Sequence, residues 1–368
     1  MYLTKQESSR TAPDLSAPAV AFVISSLSSG GAERVMTQLA NQAAESGLRV
    51  EFIVLSKKPH FFELHPDIRW WEPDFTIDQM HRLQFQWKDF WWLRRRLKNL
   101  ESEAVLSFGG KYNAFVLLAS AGLGKRVFIS DRSRPSISYG RFLDRLNPRV
   151  YSRAAGIIAQ TQRGKEVLEQ KTGHTNIRVI PNPIRLVGAR GKGRDPLILN
   201  VGRFITSKHQ DWLVDYFNDL DPEGWQLTFL GEGPQYEQVK KYAASTPLAG
   251  RIAFMGNVTD VDTYYRRAAV FAFTSTSEGF PNALGEALSA GCACISFDCE
   301  AGPADLIEDG RTGFLVPEGD HRGFKDKLHR LIADASLRQQ MGLRAMESMK
   351  AFRADRIAQQ YFDFMLSS

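Results

Sequence analysis

Two glutamates, Glu278 and Glu286, bracket the seven-residue stretch G-F-P-N-A-L-G. The apolar run 269–273 before them predicts a buried strand, and Pro281 and Gly291 predict the start and stop of a short helix after the turn. A helix N-terminus carries free amides and partial positive charge, so it attracts phosphate or hydroxyl oxygens. We interpret the stretch as a sugar-nucleotide cradle. The alternative is that Glu278 only stabilises the helix start and Glu286 is a solvated surface residue.

Each part of this cradle has a predicted role. Glu278 would bind the transferred sugar, and Glu286 would accept hydrogen bonds from ribose hydroxyls. The amides predicted to hold diphosphate or sugar oxygens are those of Gly279, Phe280, Pro281 and Asn282.

A pair of cations forms a second candidate group. Arg203 directly follows the predicted strand 197–201, and Lys208 comes five residues later. Cations at the carboxyl edge of a sheet can neutralise a departing diphosphate, which stabilises the transition state. Surface-exposed basic residues are the alternative for this pair taken alone.

The glutamate, seven-residue, glutamate pattern resembles the signature of retaining glycosyltransferases of family 4. The resemblance extends over nearly all of residues 19–350. It implies the GT-B fold, in which two Rossmann-like domains face each other across a cleft. It also implies a nucleotide-sugar donor, UDP-linked, held by the second domain and an acceptor held by the first. In that family an Arg and a Lys stand at the positions of Arg203 and Lys208, in the diphosphate-binding role.

Further positions follow from the same resemblance. Family members contact the nucleobase just after the glycine that corresponds to Gly256, which indicates Asn257 and Val258. The run S-G-G-A-E-R resembles the first loop of many members, which faces donor and acceptor; its candidate residues are Gly30, Gly31 and Glu33. A simple tight turn is the alternative for that loop.

The pair Asp131-Arg132 departs from the family pattern. Many members carry a histidine after an acidic residue at the end of this first-domain strand, and this chain has arginine. We expect Arg132 to bind donor phosphate or an anionic acceptor and Asp131 to orient it. A surface ion pair is the equally weighted alternative.

Composition places the chain among ordinary globular proteins. Its 368 residues are 43% hydrophobic and 24% charged, and the net charge is +6. The length allows roughly two domains. The mild basic excess suits anionic substrates or a membrane surface, and no Lys/Arg block or zinc-knuckle spacing favours nucleic acid.

The three cysteines, Cys292, Cys294 and Cys299, are few, odd in number and clustered, which favours a reducing compartment over a disulfide framework. We expect no metal and no cofactor beyond the donor. Residues 1–18 are polar, which predicts a flexible tail rather than a signal peptide. With no apolar run long enough to span a membrane, we expect a cytoplasmic protein.

Alternating strands and helices predict an α/β protein with parallel sheets. A Pro-bracketed, Gly- and basic-rich linker after Asn182 separates two halves. The predicted organisation is a tail (1–18), an acceptor domain (19–185), a donor domain (195–350) and a final helix (351–368) that crosses back to the first domain, as in the family.

One amphipathic segment stands apart from these motifs. Trp87–Lys98 (WKDFWWLRRRLK) is both aromatic and basic. It predicts either an ordinary helix packed on the first domain, which we favour, or an interfacial helix on anionic lipid at the inner leaflet.

The sequence thus predicts a retaining, metal-independent hexosyltransferase that uses a nucleotide sugar. A saccharide, lipid-linked or on a cell-surface polysaccharide, is the expected acceptor. Two rivals remain: a nucleotide-sugar epimerase or phosphorylase on the same fold, and a non-catalytic membrane-associated scaffold.

Overall fold

The computed structural model describes residues 18–28, 30–76, 78, 81–189 and 193–367. Strands and helices alternate along these residues. The strands are β1 (Ala19–Ile24), β2 (Arg49–Val54), β3 (Arg69–Trp71), β4 (Ala104–Phe108), β5 (Arg126–Ser130), β6 (Gly156–Ala159), β7 (Ile177–Val179), β8 (Asp195–Val201), β9 (Gln226–Leu230), β10 (Ile252–Phe254), β11 (Ala268–Phe273), β12 (Ala293–Asp298) and β13 (Gly313–Pro317). The helices are α1 (Gly31–Glu45), α2 (Arg82–Asn99), α3 (Asn113–Ser120), α4 (Arg141–Tyr151), α5 (Gln162–Thr172), α6 (Gln210–Leu220), α7 (Tyr236–Ala244), α8 (Val261–Arg267), α9 (Asn282–Ser289), α10 (Pro303–Leu306), α11 (His321–Ala333), α12 (Ala335–Met349) and α13 (Ala354–Leu366).

The strands form two sheets. The first has seven strands in the order β3-β2-β1-β4-β5-β6-β7, and the second has six in the order β10-β9-β8-β11-β12-β13. The pairs β1–β2 and β1–β4 of the first sheet are parallel, as are β8–β9 and β8–β11 of the second. The predicted α/β class with two parallel sheets is confirmed.

The second sheet is buried on both faces. Successive residues of a strand point to opposite faces, and Val270 belongs to one apolar cluster whereas its neighbour Phe271 belongs to another. The first cluster includes Phe229 and Phe297, and the second includes Leu284 of α9. The continuous apolar runs of these strands are therefore explained by helices that cover both faces.

By contacts, the chain divides into two compact units. Among the described residues, one contains those up to Ile129 together with Arg153–Gly156, and the other contains Ser130–Ser152 together with everything from Ile157. The predicted domain boundary between 185 and 195 and the crossing of the final helix stay predictions. The predicted tail lies outside the described residues, apart from Pro18.

Most predicted elements are confirmed within a few residues. The final helix, predicted within residues 351–368, runs from Ala354 to Leu366. The stretch from Pro59 to Phe75 is rich in proline and aromatic residues, which predicts a loop. That prediction is partly wrong, because the stretch contains the short strand β3, which pairs with β2. Three residues at the edge of a sheet are too few to show an alternating pattern.

The basic, aromatic helix α2 packs against α3, as favoured. Leu93 and Leu97 are buried, and the Phe90 and Phe115 ring centroids lie 5.7 Å apart. Arg94 donates to the carbonyl of Ala119 at 2.9 Å. The outward side chains of α2 include Trp87 and Trp91, which are 67% and 49% exposed. Within the described ranges, no helix combines the length and apolar character that a membrane crossing requires.

Candidate active site

The strand order of the second sheet reverses between β8 and β11. In open parallel sheets, ligands bind outside the carboxyl ends of the strands at such a reversal. Arg203 follows β8, Lys208 ends a short 3-10 turn after it, and Glu278 follows β11. The loops that carry Arg203, Lys208 and Glu278 therefore all follow the two strands between which the strand order reverses.

Lys208 and Glu278 form an ion pair between Nζ and Oε1. Their side chains are only 17% and 11% exposed. The loop after β11 is tied to the Lys208 turn, because Thr274 Oγ1 donates to the Lys208 carbonyl at 2.8 Å and the Thr276 N–H donates to the Ser207 carbonyl at 2.9 Å. Two loops from neighbouring strands thus hold opposite charges together in a largely shielded place.

The turn before α9 offers fewer amides than predicted. Pro281 has no N–H, and the Asn282 N–H donates to the Phe280 carbonyl at 3.0 Å. The prediction that all four positions present amides is therefore wrong. The N–H groups of Gly279 and Phe280 donate to no other group in the described part of the chain, so they are the donors left for a ligand.

The side chains of this turn anchor it. Phe280 is 7% exposed and packs in the core, with its ring centroid 6.3 Å from that of Phe352. Pro281 is buried, and a Cβ on Gly302, whose φ is +101°, would collide with its ring. A Cβ on Gly279 would lie 2.8 Å from the Arg132 carbonyl oxygen. Phe280 and Pro281, predicted as donor contacts, therefore hold the turn by packing.

Glu286 is buried on α9, so its interpretation as a solvated surface residue is wrong. Its side chain is 9% exposed, and its Oε2 lies 3.5 Å from Arg185 Nη2. Arg185 also forms an ion pair with Asp262. Burial raises the pKa of Tyr265 well above its ordinary value, and the charge of nearby Glu286 raises it further. Glu286 is thus a buried carboxylate paired with Arg185, and its role toward ribose stays a prediction.

Arg203 lines a separate cavity of about 550 Å³ with the predicted base contacts Asn257 and Val258. The cavity lies beyond the ends of β8, β9 and β10. Asn257 Nδ2 donates to Glu232 Oε2 at 3.1 Å. Gly231 also lines it, has a φ of +120°, and could not carry a Cβ without a collision with the Gly202 carbonyl. The structure therefore places Arg203 with the base candidates, and Lys208 with Glu278.

Asp131 and Arg132 each form hydrogen bonds with neighbouring side chains. Asp131 Oδ1 accepts from the Tyr139 hydroxyl at 2.7 Å and from the Ser133 N–H at 3.1 Å. Burial raises the pKa of Asp131, while the hydrogen bond from Tyr139 lowers it. Arg132 Nη1 donates to the hydroxyl of Tyr361 on α13 at 2.9 Å. The role of Arg132 toward phosphate or acceptor stays a prediction.

The remaining predicted residues lie in the other compact unit. Gly30 is the N-cap of α1, and Gly31 is its first residue. Glu33 folds back over Gly30, where a Cβ would collide with its Oε2. The structure therefore brings Gly30 and Glu33 together; their role toward donor or acceptor stays a prediction.

Sequence reasoning missed a buried acid in the same unit. Asp89 on α2 is 7% exposed, and its Oδ1 has no hydrogen-bond partner among the described residues. Burial raises the pKa of Asp89 from 3.8 to about 7. The charges of Asp89 and Glu33 both contribute to a raised pKa of Tyr112, for which burial is the main cause. The position of Asp89 on an otherwise apolar face of the helix was the sequence signal that could have identified it.

Two polar residues near the predicted linker were also missed. Arg185 pairs with Glu286, and Asn182 Nδ2 donates to Asn282 Oδ1 at 3.0 Å. Both partners lie about a hundred positions away, so local pattern gives no sign of them. Within the described ranges, no group of three or more His, Cys, Asp or Glu side chains is arranged to hold a metal ion.

Solved structures place this architecture in a known class. The apo form of the lipopolysaccharide outer core galactosyltransferase WaaB matches with a TM-score of 0.74 and 20% identity over 95% of this chain and 99% of that one. HepE of Anabaena in complex with UDP matches with a TM-score of 0.78 and 18% identity over 95% and 100%. The fold is therefore GT-B.

Sequence models specify the family. The model described as Glycosyltransferase Family 4 matches residues 29–187, and the model described as Glycosyl transferases group 1 matches residues 195–334. The chain belongs to glycosyltransferase family 4. A relative from Campylobacter jejuni is 26% identical over 93% of this chain and 96% of its own length. It is named as an α-1,4-N-acetyl-D-galactosaminyltransferase acting on a diphospho-undecaprenol-linked saccharide.

Proposed function

We propose that this glycosyltransferase moves a hexose or N-acetylhexosamine from a UDP-sugar to a saccharide acceptor, with retention of configuration and without a metal ion. The observation that carries the proposal is the Lys208–Glu278 pair at the reversal of the second sheet. It supplies one cation for a departing diphosphate and one acceptor for sugar hydroxyls within one shielded contact.

From this pair the nucleotide of the donor would extend through its ribose to its uracil. Its uracil would occupy the 550 Å³ cavity lined by Arg203, Asn257 and Val258, and Glu286 would accept from the ribose. The cavity also includes Val261, which adjoins Asp262, the partner of Arg185, so the ribose site and the base site are neighbours.

The chemistry would depend on charge that develops as the bond to the diphosphate breaks. Negative charge grows on the leaving oxygen, and Lys208 stabilises it more strongly in the transition state than in the ground state. Positive charge grows on the sugar ring, near the carboxylate of Glu278. Retention requires the acceptor hydroxyl to attack on the face from which the diphosphate leaves, where a phosphate oxygen would take its proton.

The acceptor would be a lipid-linked or cell-surface polysaccharide intermediate at the inner face of the cytoplasmic membrane. The name of the Campylobacter relative, with its diphospho-undecaprenol substrate, supports this class. The exposed tryptophans of α2 beside Arg95 and Lys98 would contact anionic lipid.

The test separates binding from transfer. Calorimetry with UDP should show binding by the wild type, and a panel of labelled UDP-sugars should give a glycosylated product only when a lipid-linked acceptor is added. Lys208→Ala should abolish transfer, whereas Lys241→Ala, at an exposed position of α7, should leave it unchanged.

Three results would contradict the proposal. Full turnover by Lys208→Ala would remove the site assignment. Conversion of the sugar without acceptor, or a requirement for phosphate, would indicate an epimerase or a phosphorylase. Liposome binding by a folded protein that binds no nucleotide would indicate a scaffold.

A further inference from the structure

A second cavity, of about 290 Å³, lies between the loop after β5 and helices α4 and α5. Its size is at the small end of ligand pockets, which span roughly 300–1,000 Å³, and it fits one sugar ring. Apolar side chains form much of its wall: Pro135, Ile137, Pro148, Tyr151, Ala159 and Leu168. Of the residues predicted to contact the donor, Gly279 is among those that line this cavity.

A buried acceptor without a partner among the described residues belongs to a side chain in the cavity wall. Gln160 lines the cavity and is 5% exposed. Its Nε2 donates to Asn182 Oδ1 at 2.9 Å, but its Oε1 has no hydrogen-bond partner among the described residues. A buried carbonyl oxygen left unpaired destabilises the folded protein. A ligand that brings an N–H or O–H group would remove this cost.

Asp131 supplies a second acceptor in the same wall. Its Oδ1 already accepts from Tyr139 and Ser133, and no hydrogen bond to Oδ2 is made by any described residue. The two acceptors and the apolar wall therefore favour a ligand with two donors and an apolar group that covers the prolines and Leu168. A plain hexose offers donors but no methyl group.

We propose that this cavity binds an acceptor sugar carrying an acetamido group. The amide N–H and the neighbouring ring hydroxyl would donate to Gln160 Oε1 and Asp131 Oδ2, and the acetyl methyl would pack on the apolar wall. This proposal rests on the proposed function, because it assigns the acceptor of that same reaction.

The position of the cavity suits an acceptor. Gly279, at the turn proposed to hold the transferred sugar, is one of its lining residues. The Gly279 backbone lies so close to the segment Arg132–Ser133 that a Cβ would be 2.8 Å from the Arg132 carbonyl. A sugar in the cavity would thus lie beside the donor turn, within the same compact unit.

The test uses methyl glycosides as probes in saturation-transfer NMR with UDP present. The methyl glycosides of N-acetylglucosamine and N-acetylgalactosamine should bind, with the strongest transfer to the acetyl methyl, and those of glucose and galactose should bind at least tenfold more weakly. Leu168→Trp fills the cavity and should weaken binding at least tenfold. Glu169→Trp adds the same bulk at the next, exposed position of α5 and should change nothing.

The outcomes distinguish the two proposals. Equal binding of all four glycosides, preference for a 6-deoxy sugar, or unchanged binding by Leu168→Trp would overturn the acetamido assignment. UDP affinity should be the same in the wild type and both variants. If UDP itself does not bind the folded protein, the proposed function fails, whatever the glycosides do.

Discussion

Asn182 donates a hydrogen bond from Nδ2 to Oδ1 of Asn282, the first residue of α9, at 3.0 Å. The Oδ1 of Asn182 accepts in turn from Gln160 and Arg132. A residue that follows β7 therefore helps to fix the helix start beside the donor turn. Asn282, predicted as a donor contact, acts in this structure as an anchor.

Removal of that anchor should affect the reaction more than the fold. We expect Asn282→Ala to lower kcat/KM about tenfold and the free energy of unfolding by roughly 1 kcal/mol, the worth of one hydrogen bond. Asn282→Asp keeps an acceptor and should retain most activity. Steady-state kinetics and urea unfolding measure both effects; equal losses in the two variants would show that the Asn182 bond is irrelevant.

Stability and activity should separate at the Lys208–Glu278 pair. Lys208→Ala leaves a shielded carboxylate without its partner and should cost roughly 3–5 kcal/mol. The double variant Lys208→Ala/Glu278→Ala should regain most of that stability and remain inactive. Urea unfolding of the two variants and the wild type, with a transfer assay, measures this. A double variant no more stable than the single one would mean that the charges do not interact.

Glu286 should discriminate ribose from deoxyribose. In the wild type, 2′-deoxy-UDP should bind about tenfold more weakly than UDP, since a hydrogen bond to a charged group is worth roughly 1.5–3 kcal/mol. In Glu286→Ala the two nucleotides should bind alike. Calorimetry gives the four dissociation constants. A preference for UDP that persists in the variant would remove Glu286 from the ribose site.

Asp89 should make the protein less stable as pH rises. Its folded pKa of about 7 lies above the ordinary value of 3.8, so the folded protein holds a proton that the unfolded chain releases. This favours unfolding increasingly from about pH 4 to pH 7. Asp89→Asn should therefore be roughly 2–4 kcal/mol more stable than the wild type at pH 8 and equal to it near pH 4. Asp74→Asn, at an exposed position of the same unit, serves as control. A pH-independent difference for Asp89→Asn would contradict this account.

Much of the fold and part of the site could be predicted from sequence, because they depend on local pattern. The apolar strands and their glycine-bounded ends located the carboxyl edge of the second sheet, and hence Lys208 and Glu278. The edge strand β3 was not predicted, because three residues are too few to show the alternation of a strand.

The rest depends on contacts between distant segments. Asn182 and Arg185 stand in a stretch read as linker, yet they bond to Asn282 and Glu286. Phe280 fits a sugar-contact motif by its position, but its side chain packs in the core beside Phe352. Burial of this kind follows from tertiary packing, which spacing along the chain does not encode.

The inward side chains of Phe280 and Pro281 bear on attempts to redesign sugar preference. Exchange of the G-F-P-N run with that of another enzyme would first alter interior packing. The yield of folded protein would therefore fall before the preference for a donor sugar changed. Changes that leave these two side chains in place are therefore the better route to a new specificity.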